Sequence, residues 1–232
     1  MARPPGLKTV KSDFIANIIS ASNLFEAVVS FTKGKTYDAI QGSEPLHPAQ
    51  ARRVMALAFM IIVSAWEQFV ESVFIRYMAG ACSPSGYQPV LRVGPCAGLQ
   101  HAGQLLRGNM AFSFESNFLL WSPWKVVTDR AKLFFDHGKP FSSLPDRDVP
   151  SLNHAFLLRN RVAHSSHKAR ADFVRVARLY TGKPMLRRGY DVGSLLLEKP
   201  SLHTHSSSYS QADHCFEAYL SLFIELAGTI AP

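Results

Sequence analysis

Cysteine is scarce in this chain. Three occur in 232 residues, Cys82, Cys96 and Cys215, far apart and odd in number. That spacing supplies neither a disulfide framework nor a zinc-binding pair. It suits a reducing cytoplasm, with a lone Cys82–Cys96 bridge as the alternative. Long apolar runs are lacking too. The longest, Val54–Trp66, is broken by Ser64 and falls short of the roughly 20 residues that span a bilayer. Arg52-Arg53 before it and Glu67 after it predict a buried core helix and no membrane partner. Met1–Gly6 has no apolar core behind it, so no signal peptide is expected. There is no P-loop, GxGxxG, GxSxG or HExxH, which leaves nucleotide hydrolysis and serine or zinc hydrolase chemistry without an anchor. His203, His205, His214 and Cys215 lack the carboxylate or second cysteine that would complete a ligand set, so no metal or cofactor is expected.

Acidic residues are few as well. Seventeen Asp and Glu face twenty-five Lys and Arg, a net charge of +8. A basic excess favours a polyanionic partner and says nothing about fold. The length suits one domain with a full core, spanning residues 1–232.

What is present is helical patterning. Phe14, Ile15, Ile18, Ile19, Leu24, Phe25, Val28 and Val29 recur at helical intervals and predict a helix over 8–32. A long helix over 49–78 follows, with Pro48 suited to its first turn and Gly80 after its end. The region 79–116 is dense in Gly and Pro and reads as a loop-rich insertion with one short helix near 99–106 and a weak strand signal at 90–93. Further helices are predicted from Ser122-Pro123-Trp124 to about 136, over 151–164, over 169–180 and over 211–230. The stretch 189–197 is ambiguous between a strand and a turn. The fold expected is all-α: a bundle of about five or six helices with an irregular insertion.

The densest chemistry lies in Arg159-Asn160-Arg161-Val162-Ala163-His164, at the end of the apolar run Ala155–Leu158. Asn160 and His164 are four apart and share a helix face. Arg159 starts roughly 140° around from His164, within reach of its long side chain. An imidazole can move a proton near neutral pH, and a guanidinium can hold a phosphate and offset its developing charge. Those groups suit metal-independent RNA cleavage, in which the ribose 2′-OH attacks the neighbouring phosphorus. Helical packing, a C-terminal cap or a surface ion pair would use the same residues.

Glu67 and Glu71 share a face of the long helix among Trp66, Phe69, Val70 and Phe74. A carboxylate in that setting needs a partner. It either orients Arg159 or His164 or belongs to a solvated stripe. From 159 to 188, Arg159, Arg161, Lys168, Arg170, Arg175, Arg178, Lys183, Arg187 and Arg188 face a single acid, Asp172. Such density suits a phosphate backbone, with Tyr180 and Tyr190 as candidates to stack on bases. The alternative is a solvated helix face.

Arg159-Asn160-x-x-x-His164 on a late helix resembles the signature of the HEPN superfamily, and Ser64–Glu71 resembles the Trp-Glu helix of its RiboL-PSP-HEPN branch. The likeness covers about 49–78 and 151–180. It implies an all-helical homodimer and an endoribonuclease that needs no metal. His164 would be general acid or base, Arg159 would bind the scissile phosphate, and Asn160 would hold one or the other. On the residue pattern itself, Glu67 and Glu71 would support them, and Arg161, Lys168, Arg170, Arg175, Arg178, Arg187 and Arg188 would grip RNA. The likeness further implies paired motifs in one cleft, a cytoplasmic role in defence or toxin–antitoxin systems, and an antitoxin or other regulatory protein as partner. The competing expectation is a non-catalytic helical module that binds RNA, nucleotide or protein.

Overall fold

The computed structural model describes residues 6–33, 46–108, 119–201 and 212–232. Among them are eight α-helices: α1 (Leu7–Lys33), α2 (Pro48–Met78), α3 (Leu99–Arg107), α4 (Trp124–Phe134), α5 (Val149–Ala163), α6 (His167–Thr181), α7 (Val192–Leu196) and α8 (Cys215–Ile230). The chain is all-α, as its periodicity predicts. The weak strand signal at 90–93 becomes a single antiparallel bridge, Leu91 to Phe135, flanked by Arg92 N–H to Phe134 O (2.9 Å) and Asp136 N–H to Val90 O (2.8 Å). Cys82, Cys96 and Cys215 are all free thiols, so the Cys82–Cys96 alternative is not realised.

Two compact units emerge. The first comprises Met1–Ile15, Ala65–Val149 and Ile224–Pro232; the second comprises Ala16–Ser64 and Pro150–Phe223. Helices α1, α2 and α8 each supply a segment to both. Among the described helices, α2 is the one long and apolar enough to cross a bilayer. The unbroken run is short, but the helix continues well beyond it. Met55, Phe59, Ile62, Val63, Trp66, Val70 and Phe74 on α2 are nevertheless buried within the protein.

The first unit is built on aromatic packing. Trp66 lies 5.8 Å from Phe14, 5.7 Å from Phe69 and 6.0 Å from Trp124, ring centre to ring centre. Phe74 is ringed by Trp121, Phe135 and Phe141 at 5.3, 4.9 and 4.8 Å. Large rings bury much apolar area each and favour tilted and edge contacts of this kind. Part of the expected insertion is pinned to this unit through backbone groups. Cys96 N–H donates to Met78 O at 2.8 Å, and the Gln88 side-chain amide donates to Gly80 O at 3.0 Å. Gly and Pro disfavour helix here, yet the polar backbone is satisfied locally.

The second unit packs Phe25, Phe59, Phe216, Tyr219 and Phe223 with one face of α5 and one of α6. On α5 the buried residues are Leu152, Ala155, Phe156 and Leu158; on α6 they are Ala169, Phe173, Val176, Ala177 and Tyr180. Tyr219 O–H donates to the Tyr180 hydroxyl at 3.1 Å, closing an otherwise apolar core around a satisfied polar pair. Helix α6 starts where Ser166 Oγ accepts from Ala169 N–H, and stops at Gly182 in the left-handed region (φ 65°). Helix α7 begins where the Asp191 carboxylate accepts from Ser194 N–H at 2.7 Å and from Ser194 Oγ–H at 2.8 Å. Its Gly193 sits so close to the Arg52 carbonyl that a Cβ there would collide with backbone.

Candidate functional site

The packed face of α5 carries Leu152, Ala155 and Phe156, and the next turn on that side is Arg159. Its side chain is therefore half-buried, with Nε enclosed within the protein. Arg159 Nη1–H donates to Asn160 Oδ1 at 3.0 Å. An amide whose oxygen is occupied this way still has its NH₂ to offer as a donor. His164 N–H donates to Asn160 O at 2.9 Å, so helical hydrogen bonding runs one residue past Ala163. The His164 side chain is exposed, and among the described residues its imidazole has no hydrogen-bond partner. Arg159, Asn160 and His164 thus share one helix end.

Arg161 has a structural duty that the charge pattern alone does not reveal. Its Nη1–H donates to His164 O at 3.1 Å, a side-chain cap on the last turn of α5.

After the connection His164–Ser166, α6 carries the basic residues outward. His167, Arg170, Ala171, Val174, Arg175 and Arg178 recur at helical spacing and line an open trough. The only acid in this stretch, Asp172, takes Lys168 Nζ and Arg175 Nη2 at 3.1 Å each. Arg170 and Arg178 are exposed, as are Arg187 and Arg188 beyond the helix. Tyr180 and Tyr190 do not serve as base-stacking platforms. Tyr180 is fully enclosed and stacks on Tyr219. Tyr190 is half-buried against Phe173, and burial pushes its phenol pKa well up. Tyr180 lies seven residues after Phe173 and four after Val176, on the buried stripe, so periodicity alone could have placed it inside.

Glu67 and Glu71, both half-buried, belong to the first unit and the α5 motif to the second. The groups acting on Glu71 are those of its own unit. Burial raises the carboxyl pKa, against the opposing pull of the Trp121 indole N–H and of Arg107 and Arg130. Arg130 in turn lies 4.6 Å over the Trp121 ring. The partner that the sequence demands for this carboxylate is thus present on α3, on α4 and at Trp121.

His154 on α5 is a histidine that the sequence does not single out. It meets Tyr180 edge-on at 5.7 Å, its Nδ1 is buried without a hydrogen bond, and its pKa is lowered by burial and by the charge of Arg175. It lies five residues before Arg159 on the helix, and nothing in its pattern marks it off from a core histidine.

No group of three metal-ligating side chains occurs among the described residues. His203 and His205 lie outside them, and His214 Nδ1 is bonded to Glu217 Oε2 at 3.0 Å. Comparison of the chain with family models, with curated proteins and with solved structures finds no match.

Proposed function

We propose that the chain is a metal-independent endoribonuclease of the HEPN type. One observation carries this reading: a hydrogen-bonded Arg159–Asn160 pair and an exposed His164 sit at one helix end, and the cationic stripe of α6 follows three residues later. In the reaction, a ribose 2′-oxygen loses its proton to a base and bonds to the adjacent phosphorus. The bond from phosphorus to the 5′-oxygen breaks, and that oxygen leaves with a proton. The products are a 2′,3′-cyclic phosphate and a 5′-hydroxyl. His164 carries one of the two proton transfers, and Arg159 offsets the charge that grows on the non-bridging oxygens. The Asn160 amide holds the phosphate, and Arg170, Arg175, Arg178, Arg187 and Arg188 hold the flanking backbone. On the family resemblance the enzyme is a homodimer serving defence or a toxin–antitoxin pair, and its few unpaired cysteines suit a reducing cytoplasm.

A second reading is favoured by a specific feature. Catalytic bases are usually oriented by a third group, and the His164 imidazole has none among the described residues. A non-catalytic module that binds RNA, nucleotide or protein on the same basic face needs no such orientation. The deciding experiment is incubation of the purified chain with end-labelled RNA in EDTA. Fragments ending in 2′,3′-cyclic phosphate, absent for His164→Ala, are the expected result. RNA binding without any cleavage would establish the second reading, and equal cleavage by His164→Ala would remove the first.

A further inference from the structure

Within the second unit lies a cavity of about 320 Å³ that the α5 motif does not use. Its size is that of a small-molecule site. Val29, Pro48 and Leu197 give it an apolar wall, and Arg52 and Arg187 give it two guanidinium groups. Pro48, Ala51 and Arg52 come from the first turn of α2, so the positive end of a long helix dipole faces the space. The first N–H groups of that helix are already taken: Gln50 and Ala51 donate to His47 O, and Ala49 donates to His47 Nδ1. The donors left for a ligand are therefore side chains.

Arg52 is held in place on two sides. Gly193 packs against its backbone, and its Nε lies 3.6 Å from Asp191 Oδ2, while Oδ1 of the same carboxylate is committed to Ser194. At that distance the contact is electrostatic, and Nε is buried without a hydrogen bond, so the guanidinium keeps its donors for a ligand. Arg187 lies 6.0 Å over the Tyr190 ring and makes no ion pair among the described residues. The acid on the wall, Glu198, is matched by Lys183 Nζ at 2.8 Å, and His214 is tied to Glu217. Asp191 offsets Arg52, so the charge of Arg187 is the surplus.

We propose that this cavity binds a small organic phosphate monoester, its phosphate held by Arg52 and Arg187 and its organic group by Val29, Pro48 and Leu197. Guanidinium forks match the geometry of phosphate oxygens, and the apolar wall asks for more than the bare ion. The proposal does not rest on the cleavage reading; the two share Arg187, and binding of phenyl phosphate is read without RNA.

Isothermal titration calorimetry with phenyl phosphate tests it, with inorganic phosphate and benzoate as comparators. Phenyl phosphate should bind with one-to-one saturation, more tightly than either comparator. Losing a charged hydrogen-bond donor should weaken it roughly tenfold in Arg187→Gln and in Arg52→Gln. Arg187 is exposed and joins no ion pair among the described residues, so Arg187→Gln should melt like the parent even if Arg52→Gln disturbs α7. Arg53→Gln, one position from Arg52 but outside the cavity lining, should bind as the parent does. Absence of saturable binding, an unchanged affinity in Arg187→Gln, or an equal loss in Arg53→Gln would overturn the site. Benzoate binding as tightly as phenyl phosphate would overturn the assignment of phosphate, and inorganic phosphate doing so would overturn the role of the apolar wall.

Discussion

Glu71 and His164 are both ionisable side chains on largely apolar helices, and the structure treats them in opposite ways. Glu71 is half-buried and faces an indole N–H and two guanidinium groups, all from its own unit. His164 projects from the end of α5 with no partner for its ring among the described residues. A side chain surrounded by partners from its own chain belongs to the packing; one left open to solvent is available to a ligand. The contrast assigns Glu71 to the architecture of the first unit and leaves the His164 ring open to solvent among the described residues.

The largest effect expected from that contrast is on catalysis. His164→Ala should lower RNA cleavage by roughly 10²–10⁴ while leaving the melting temperature nearly unchanged, because an exposed ring contributes little packing. Gel assays in EDTA alongside thermal melts would measure both. A variant that cleaves normally or unfolds would place His164 with Glu71 after all. That no orienting partner occurs among the described residues adds a sharper test. If a second copy supplies it, verified heterodimers of Arg159→Ala and His164→Ala chains should recover part of the activity that both parents lack.

On the partnered side, Trp121→Ala should cost about 3–5 kcal/mol, the range for deleting a buried Phe or Trp side chain. Trp121 is buried, packs on Phe74, lies beneath Arg130 and faces Glu71. Urea unfolding at neutral pH would reveal the loss; a cost under about 1 kcal/mol would fit only a loosely held surface ring.

RNA binding should respond more modestly to the α6 stripe. Arg170 and Arg178 are exposed there and face the trough, whereas Lys168 and Arg175 are engaged with Asp172. Replacing Arg170 and Arg178 together by Gln should flatten the dependence of log binding constant on log salt by up to about 1.4, at about 0.7 per lost single-strand phosphate contact. An unchanged slope would take the trough out of the binding surface.

Much of this was legible in the sequence because long helices repeat. The buried set on α1, Phe14, Ile18, Ala21, Phe25 and Val28, steps by four and three residues, and that rhythm is visible without coordinates. Helix α7 was not legible, because five residues cannot show a period. It depends instead on the Asp191 cap, a local bond to Ser194 three residues on, and on a glycine against Arg52, which is a tertiary fact. At the candidate site, the shared end of Arg159, Asn160 and His164 follows from spacing alone. The cap made by Arg161 and the pairing of Asp172 depend on rotamers that spacing does not set. A run of cations reads as one surface until some of them prove to be engaged at home.

The smallest effect belongs to Glu71, and its sign is the informative part. Burial raises the carboxyl pKa despite the neighbouring Arg107 and Arg130. A carboxyl that holds its proton more tightly when folded contributes stability that is fully present below its unfolded pKa and is lost as pH rises through its folded pKa. Glu71→Gln resembles the protonated form and keeps an oxygen toward the Trp121 N–H, so it escapes that loss. The variant should therefore gain on the parent as pH is raised from about 4, near the unfolded carboxylate range, toward 7, and should be at least as stable at neutral pH. Paired urea titrations across that interval would show the gap opening. A gap that opens the other way would mean that the two guanidinium groups outweigh burial, so that Glu71 holds α3 and α4 by its charge rather than in spite of it.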